Sequence, residues 1–500
     1  MKGRLILVSN RGPYVFLESA AGEEMVRSVG GLVAALEPLM EANGGVWVAW
    51  GGRRGHASPA PSRRRKVASA EGGSHYVLRE TVLTEEELRC YYYGFANSAL
   101  WPLCHYFVGR CQFEQEHWDN YVRVNAKFAA SAQAELSQGD LIWIHDYHLA
   151  LVPELLRRAH PELRIAFFWH IPFPQVDVLA VLPWAREVLA GLLGSDVLGF
   201  HLREYGENFL TCAEKLLGAE VDRERMCASW RGRTVRVRAA PIGVDYQAFQ
   251  RLARRPRVQA RAAEIRRQLG TPLVALSADR LDYTKGILER ILALEILLER
   301  YPEYRGRLTF VQVAAPSRTA LAEYQKMRRQ IEEAVGRVNG RFGSDDYTPV
   351  RYYYRSLGRE ELAAYYQAAD VAVITPLRDG LNLVAKEYVA ARLDDEGVLV
   401  LSRFAGAASQ LSGAILVNPY NPLETAEKWA EACALPPEER RARMAALREN
   451  VRRYDLQWWL EEFWKAMAEG GAPADEEEEA LPGRCCGEEE AADRATGGSC

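Results

Sequence analysis

The chain has 500 residues, of which 48% are hydrophobic and 26% charged, a composition typical of a globular protein with two or three domains. The formal net charge of −4 excludes the strongly basic surface that nucleic-acid binding requires. No run approaches the ~20 apolar residues of a membrane-spanning helix, so we expect neither nucleic acid nor a membrane as a partner.

The N-terminus and the cysteines favour a cytoplasmic protein. The first apolar run, at 5–8, is too short for the core of a signal peptide. The 9 cysteines are scattered, odd in number and without spaced pairs, which argues for reduced thiols rather than a disulfide framework. We therefore expect a soluble protein of the cytoplasm.

Short apolar runs alternate with segments of helical apolar spacing along most of the chain. The predicted strands are 4–9, 46–50, 141–145, 165–169, 197–200 and 235–239, then 273–278, 308–313, 350–354, 371–375, 398–402 and 415–417. The predicted helices include 32–40, 121–136, 287–300, 320–338 and 361–369. Nearly continuous apolar strands separated by helices are typical of a parallel sheet with helices on both faces.

A polar, arginine-rich segment at 251–268 splits the strands into two series. The predicted fold class is therefore α/β, with two facing doubly wound, Rossmann-like domains and the ligands in the cleft between them. The predicted units are an N-terminal domain at 1–250, a second domain at 251–450, a closing helix at 451–469 that packs back on a domain, and a disordered acidic tail at 470–500. The arginine-rich segment 53–66 is predicted to be a solvated loop.

One segment, 375–387, combines the end of a predicted strand, a glycine-containing turn and the beginning of a helix. The free N–H groups of a first helical turn, together with the helix dipole, form a site for an anion. Glu387, inside this helix, could bind the hydroxyls of a ribose. The segment therefore favours a sugar nucleotide held by its diphosphate, although an ordinary βα turn explains the local pattern equally well.

Two basic residues stand at the end of another predicted strand. Arg280 and Lys285 follow 273–278 and precede Gly286 and a helix. A planar guanidinium fork and a point-charged ammonium are the pair expected for a diphosphate, while surface cations at a helix start are the alternative. The chain contains neither GxxxxGK[ST] nor GxGxxG, which disfavours the usual ATP-hydrolysing and nicotinamide-dependent functions.

Polar residues also follow the predicted strands of the first half. Arg11 ends the first strand, and Gly31 opens the first long helix. Asp146 stands in a His-Asp-x-His cluster, for which a metal site is the weaker explanation because no further ligand is supplied. His170, between aromatic residues, is compatible with a site or with a hydrogen-bonded core histidine.

Long motifs in a fixed order carry a resemblance to a known family. They are SNRGP (9–13), GGL (30–32), YYYGFANSALWP (91–102), WDNYVRVN (118–125), WIHDYHL (143–149), FFWHIPFP (167–174), DRLDYTKG (279–286), PSR (316–318), TPLRDGLNLVAKEYVA (375–390) and VLVLSRFAGAA (398–408). From Arg4 to about Pro419 the chain resembles the trehalose-6-phosphate synthase family, retaining glycosyltransferases of family 20 with the GT-B architecture. The resemblance implies transfer of glucose from UDP-glucose to glucose 6-phosphate, giving α,α-trehalose 6-phosphate and UDP.

The resemblance also implies roles for individual residues. The donor would contact Gly31, His170, Arg280, Lys285, Asp379, Gly380, Leu381, Asn382, Leu383 and Glu387. The acceptor would contact Arg11, Tyr92, Trp101, Asp146 and Arg318, the two arginines at its phosphate. Catalysis would involve Asp146, His170, Arg280, Lys285 and Asp379 without a metal or other cofactor. The family is usually described by front-face attack, in which the leaving phosphate itself takes the proton of the acceptor.

Several alternatives stay open at this stage. Relatives that make glucosylglycerol phosphate share much of the donor half, so glycerol 3-phosphate is an alternative acceptor, and a cyclitol phosphate is another. A catalytically silent homologue that binds sugar phosphate and regulates a partner is disfavoured, because Arg280, Lys285, Asp379 and Glu387 are all present. The sequence fixes neither the nucleotide base nor the oligomeric state, and a homo-oligomer is compatible with it.

Overall fold

A computed structural model describes residues 3–19, 22–27, 31–52, 54–55, 63–68, 75–319 and 321–468. The strands of the first half are β1 (Leu5–Arg11), β2 (Tyr14–Ser19), β3 (Gly22–Arg27), β4 (Val46–Trp50), β5 (Arg54–Gly55), β6 (Arg64–Ala68), β7 (His75–Glu80), β8 (Leu83–Thr84), β9 (Leu141–His145), β10 (Arg164–Phe168), β11 (Val197–Phe200), β12 (Glu220–Asp222), β13 (Cys227–Trp230) and β14 (Arg233–Ala239). The α-helices of this half are α1 (Gly31–Asn43), α2 (Glu85–Glu87), α3 (Trp101–Cys104), α4 (Gln115–Gln133), α5 (Val152–Ala159), α6 (Val176–Leu179), α7 (Ala185–Leu192) and α8 (Arg203–Cys212). Two π-helical segments, Leu88–Leu100 and Ala213–Leu217, join α2 to α3 and extend α8.

The larger sheet is parallel at its centre and has the strand order β12-β13-β14-β11-β10-β9-β1-β4-β7-β6. Antiparallel pairs, β6 with β7 and β13 with β12 and β14, form its two edges. In β1, Leu5 and Leu7 belong to one hydrophobic core, while Ile6 and Val8 belong to another. Alternate side chains of the strand are therefore buried on opposite faces, which explains its continuous apolar sequence.

The second half begins with helices and continues as a regular alternation of strands and helices. Its strands are β15 (Leu273–Arg280), β16 (Leu308–Ala315), β17 (Val350–Tyr353), β18 (Val371–Ile374), β19 (Val398–Ser402) and β20 (Ile415–Val417). Its α-helices are α9 (Tyr246–Ala253), α10 (Pro256–Leu269), α11 (Ile287–Arg300), α12 (Ala322–Phe342), α13 (Arg359–Ala368), α14 (Leu383–Ala391), α15 (Pro422–Ala434), α16 (Pro437–Arg453) and α17 (Leu456–Ala468). The strands form one parallel sheet in the order β17-β16-β15-β18-β19-β20.

The predicted architecture of two doubly wound sheets is confirmed. Each of the twelve predicted strands coincides with an observed strand to within two residues at either end. β15 lies between β16 and β18, so the order in which successive strands are added to this parallel sheet reverses next to its carboxyl end. Ligands of doubly wound sheets bind in the crevice at such a position.

One prediction about the first half is wrong. The segment 53–66 was predicted to be a solvated loop, but β6 begins at Arg64 and pairs with β7 at the edge of the sheet. Val67 is buried, whereas Arg64 and its charged neighbours remain accessible. Lysine and arginine on an edge strand discourage pairing with another chain. Because of the same charges, β6 lacks the apolar run by which the other strands were predicted.

The C-terminal helix returns to the first sheet. Phe463 of α17 stacks on Trp143 of β9, with ring centroids 4.9 Å apart and planes 15° apart. A Cβ at Gly199 of β11 would lie 2.4 Å from the ring of Phe463, so a side chain there would displace the helix. A C-terminal helix that packs back on a domain is confirmed, although it begins at Leu456 and residue 451 still belongs to α16, while the predicted acidic tail lies outside the described residues. The domain boundaries at 250 and 450 remain our proposal, and α9 spans the first of them.

Candidate active site between the two sheets

Three of the predicted donor residues follow the carboxyl ends of β15 and β18. Arg280 ends β15, Lys285 lies in a short 3₁₀ turn after it, and Asp379 follows β18. Nζ of Lys285 lies 2.5 Å from Oδ2 of Asp379, and these side chains are 12% and 14% exposed. Burial acts to raise the pKa of Asp379, but the ammonium of Lys285 outweighs it and the pKa is lowered. Lys285 and Asp379 therefore form an ion pair that connects the loop after β15 to the loop after β18.

The turn before α14 is held by its own side chains. Asn382 has a φ of 82°, and its side chain accepts a hydrogen bond from the N–H of Ala385 at 3.2 Å, which caps the helix. Its amide nitrogen donates to Asp379 at 3.1 Å. Leu383 is the first helical residue, so its N–H belongs to the first turn, which lacks intrahelical acceptors. The predicted donor segment 379–383 is thus one rigid turn at a helix N-terminus.

Gly380 marks the place where the two halves of the molecule touch. A Cβ at this position would lie 2.7 Å from the carbonyl oxygen of His170, which follows β10 of the other sheet. No side chain fits there without a shift of the backbone. Glycine therefore allows the donor turn and the end of β10 to approach each other.

His170 is half-buried and lies beside two buried histidines, His145 and His201. Its Nε2 lies 3.0 Å from Nδ1 of His145, and its ring centroid lies 5.3 Å from that of His201. Burial lowers the pKa of all three rings, far below the usual value for His145 and His170. Each ring is therefore neutral at pH 7, with one nitrogen that donates and one that accepts. Sequence reasoning predicted His170 but missed His145 as its partner.

The remaining donor candidates lie on helices. The carboxylate of Glu387 in α14 accepts a hydrogen bond from the hydroxyl of Tyr366 at 2.9 Å, and burial raises its pKa. Gly31 is the first residue of α1 and follows residues 28–30, which lie outside the described part of the chain. The role of Gly31 therefore stays a prediction.

A second group of cations surrounds two aromatic rings. Cζ of Arg11 lies 5.2 Å from the ring centre of Tyr92, and those of Arg318 and Arg280 lie 4.4 and 5.6 Å from that of Trp101. Burial acts to raise the pKa of Tyr92, but the three arginines together lower it. The three guanidinium groups make this pocket positive, and a dianion such as a phosphate ester would suit it.

Tyr92 and Trp101 owe their position to an unusual helix. The segment Leu88–Leu100 is π-helical, and Trp101 begins α3 directly after it. Asn97 and Ser98 each donate a side-chain hydrogen bond of 2.7 Å to the carbonyl five residues earlier. π-Helical turns occur frequently at functional sites. No periodicity in the sequence predicted this helix, and only the family resemblance indicated the two aromatic residues.

Asp146 connects the acceptor side to the histidines. It has a φ of 76°, which is strained for a residue with a side chain. Its carboxylate accepts hydrogen bonds from the N–H groups of Tyr147 at 3.0 Å and His170 at 3.3 Å. Burial raises its pKa to about 6, although the hydrogen bonds and the charges of Arg280 and Arg318 act in the opposite direction. Asp146 is thus a carboxylate that titrates close to neutral pH.

Sequence reasoning missed Asp282, which accompanies Arg318. Nη1 of Arg318 donates to the carboxylate of Asp282 and, at 2.7 Å, to the hydroxyl of Tyr324. The side chains of Arg318 and Asp282 are 3% and 0% exposed. The position of Asp282, two residues after Arg280 at the end of β15, was the available signal.

Comparison with known proteins places most of the chain in one family. A model of glycosyltransferase family 20 matches residues 3–469. The chain belongs to glycosyltransferase family 20. The predicted family is therefore confirmed, and the solved structures below confirm the GT-B fold.

Relatives within family 20 share about two fifths of their residues with this chain. A bifunctional trehalose-6-phosphate synthase/phosphatase of Thermoproteus tenax is 42% identical over 96% of this chain, which spans 65% of the length of that relative. A UDP-forming α,α-trehalose-phosphate synthase of Dictyostelium discoideum is 38% identical, and this chain covers 63% of the length of that relative. A trehalose-6-phosphate synthase of Mycolicibacterium vanbaalenii is 42% identical, with 93% of this chain and 95% of the relative covered.

Solved structures within family 20 have the same fold. The α,α-trehalose-phosphate synthase (UDP-forming) of Burkholderia xenovorans in complex with glucose 6-phosphate is 36% identical, with a TM-score of 0.85 over 93% of this chain and 100% of that one. A structure described as trehalose-6-phosphate from E. coli bound with UDP-2-fluoro glucose is also 36% identical, with a TM-score of 0.84 over 93% of this chain and 99% of that one.

Proposed function

We propose that this protein transfers glucose from UDP-glucose to glucose 6-phosphate and forms α,α-trehalose 6-phosphate and UDP with retention at the anomeric carbon. The observation that carries the proposal is the presence of two separate cationic groups with neutral histidines and Asp146 beside them. One group contains Lys285 and the N-terminus of α14, and the other contains Arg11 and Arg318. Arg280 lies beside Trp101, close to the second group.

On the donor side, Arg280, Lys285 and the amides of the turn 380–383 would hold the diphosphate. Their charges would stabilise the negative charge that develops on UDP as it leaves, which is the main task in this chemistry. Glu387, fixed by Tyr366, would accept hydrogen bonds from the ribose. His170 and Asp379 would contact the glucose that is transferred.

On the acceptor side, Arg11 and Arg318 would bind the phosphate while Tyr92 and Trp101 flank the sugar. Asp146 would orient the attacking hydroxyl, because its carboxylate is itself fixed by two backbone N–H groups. The leaving phosphate would take the proton of that hydroxyl on the same face of the sugar. No protein nucleophile is needed for this route, unlike the double displacement of retaining glycosidases.

Glycerol 3-phosphate is the alternative acceptor. The half-buried ring of Tyr92 favours a sugar ring, which can lie against it over a larger area than a three-carbon acceptor can. A cytoplasmic location is part of the same proposal. It is supported by the six described cysteines, all of which are unpaired.

The test is UDP release by the purified protein from UDP-glucose, with glucose 6-phosphate, glycerol 3-phosphate or no acceptor, and NMR identification of the product. We expect release with glucose 6-phosphate and an α,α-1,1 disaccharide phosphate. Release only with glycerol 3-phosphate would assign the sister activity. Silence with every acceptor and with other nucleotide sugars would favour the regulatory homologue.

A further inference from the structure

Asp282, Arg318 and Tyr324 form a closed hydrogen-bonded group beneath the acceptor pocket. The carboxylate of Asp282 accepts from Nη1 of Arg318, from the hydroxyl of Tyr324 at 3.0 Å and from the N–H of Thr284 at 3.0 Å. Burial acts to raise the pKa of Asp282, but the charges of Arg318 and Arg280 lower it to about 2. Asp282 is therefore ionised throughout the working pH range, and all the contacts that hold it are short and directional.

The backbone of Arg318 is strained at the same place. Its φ of 45° is a conformation that residues with a Cβ adopt rarely. Such a conformation persists only where the surroundings hold it, and strain of this kind is concentrated at functional sites. A stabilising ion pair alone would not require it, because many less strained positions could place a guanidinium beside a buried carboxylate.

One edge of the guanidinium has been left without a partner. Nη1 of Arg318 is engaged by Asp282 and Tyr324, but Nε is buried and donates to no partner among the described residues. The Arg318 group lies over the ring of Trp101, with 4.4 Å from Cζ to the ring centre. Buried donors in proteins are nearly always paired, so the unpaired Nε calls for an acceptor that is not among the described residues.

We propose that Asp282 is a positioning residue that, together with Tyr324, holds Nη1 of Arg318 and fixes the guanidinium over Trp101, so that its other N–H groups are available to the phosphate of the acceptor. The inference rests on the proposed function and extends it to a residue that does not itself touch the substrate. Asp282 engages Nη1 and thereby leaves the rest of the planar fork for a charge-assisted contact with phosphate.

The test compares three variants of the full chain. Asp282→Asn keeps the size of the side chain and removes its charge, and Tyr324→Phe removes only the hydroxyl. Asp279→Asn is the matched control. Asp279 lies in β15, is buried like Asp282 and pairs with Arg290 at 2.8 Å, but it does not contact Arg318. For each variant we would measure kcat, KM for glucose 6-phosphate, KM for UDP-glucose, binding of UDP by calorimetry and thermal stability.

We expect Asp282→Asn to raise KM for glucose 6-phosphate about tenfold, while binding of UDP changes less than about twofold. Tyr324→Phe should raise the same KM about threefold, since a neutral hydrogen bond is weaker than a charged one. Asp279→Asn should lower thermal stability without this selective effect on the acceptor. A purely structural Asp282 would resemble Asp279, with lower stability and no separation between acceptor and donor.

An unchanged KM for glucose 6-phosphate in Asp282→Asn, or equal changes for both substrates, would overturn the proposal. If Asp282→Asn does not fold, Tyr324→Phe decides by the same criterion. A wild-type protein that uses glycerol 3-phosphate instead would overturn the proposed function alone. That acceptor carries the same phosphate, so its KM would then test Asp282.

Discussion

Lys285 and Asp379, 94 residues apart in the chain, form an ion pair with 2.5 Å between Nζ and Oδ2. Each belongs to a loop that follows a different strand of the second sheet, and both side chains are largely buried. The residues are proposed to contact different parts of the donor, so the pair holds the donor loops in place before UDP-glucose binds. Such preorganisation lowers the cost of ordering the site when ligand enters.

Breaking this pair from either side should destabilise the protein. Lys285→Met and Asp379→Asn should each lower the free energy of unfolding by about 3 kcal/mol, because each removes one partner of a largely buried pair. The double variant should lose less than the sum of the two, as expected for residues in contact. Urea denaturation of the four proteins measures this coupling, and strictly additive losses would show that the pair contributes nothing.

Arg11→Ala should test the acceptor phosphate site without a cost in folding. Arg11 is exposed and lies 5.2 Å from the ring centres of Trp50 and Tyr92, so stability should change by less than about 0.5 kcal/mol. Loss of a charge-assisted contact should raise KM for glucose 6-phosphate about tenfold and leave KM for UDP-glucose nearly unchanged. The matched control is Arg89→Ala, another exposed arginine, which pairs with Glu116 at 2.8 Å. A larger effect on the donor than on the acceptor would remove Arg11 from the acceptor site.

Asp146 should make the unliganded protein less stable as the pH rises. Its pKa is about 6 in the folded protein and about 3.9 in the unfolded chain, so between these values the folded state binds more protons. Ionisation of Asp146 therefore costs stability as the pH rises through this window, about 3 kcal/mol in total.

The measurement for Asp146 is the difference in unfolding free energy between Asp146→Asn and the wild type from pH 4 to pH 7. The free energy of unfolding of the variant should rise relative to that of the wild type as the pH rises, because asparagine has no charge to bury. Working without substrate avoids the titration of the acceptor phosphate, whose own pKa is about 6. A difference that stays flat would mean that Asp146 titrates normally.

The sequence predicted the sheets well because their strands are buried on both faces. In β1 and β9 every residue of the apolar run enters a core, so composition alone identifies the strand. The edge strand β6 was missed, since only Val67 among its five residues is buried. Short strands with charged, accessible residues carry no signal that separates them from a loop.

The candidate site divides in the same way. The turn 379–383 was predicted from its strand, glycine and helix, which are all local features. The pairing of Lys285 with Asp379, of His145 with His170 and of Asp282 with Arg318 depends on loops distant in the chain. Only the topology of the sheets brings those loops together, so no local pattern contains the pairs.

Lys386 should make the free energy of unfolding depend on pH in the opposite direction to Asp146. It is fully buried in α14, and its ammonium donates a hydrogen bond of 3.0 Å to the carbonyl of Ile242, between β14 and α9. In the described part of the chain, no carboxylate lies within ion-pair distance of it. Burial lowers its pKa to about 7. The unfolded chain therefore binds more protons than the folded protein between pH 7 and about pH 10.4.

Stability should accordingly rise with pH in this window, relative to a variant without the amine. Lys386→Met should be more stable than the wild type near pH 7, and its advantage should shrink by about 1.4 kcal/mol per pH unit as the pH rises toward 10. Urea denaturation at pH 7.5, 8.5 and 9.5 measures this difference, in which the titration of other groups cancels. Lys428→Met is the control, because Lys428 is 43% exposed and its difference from the wild type should not depend on pH. An advantage of Lys386→Met that stays constant across the window would show that Lys386 remains charged inside the fold, which would require a polar contact beyond the carbonyl of Ile242.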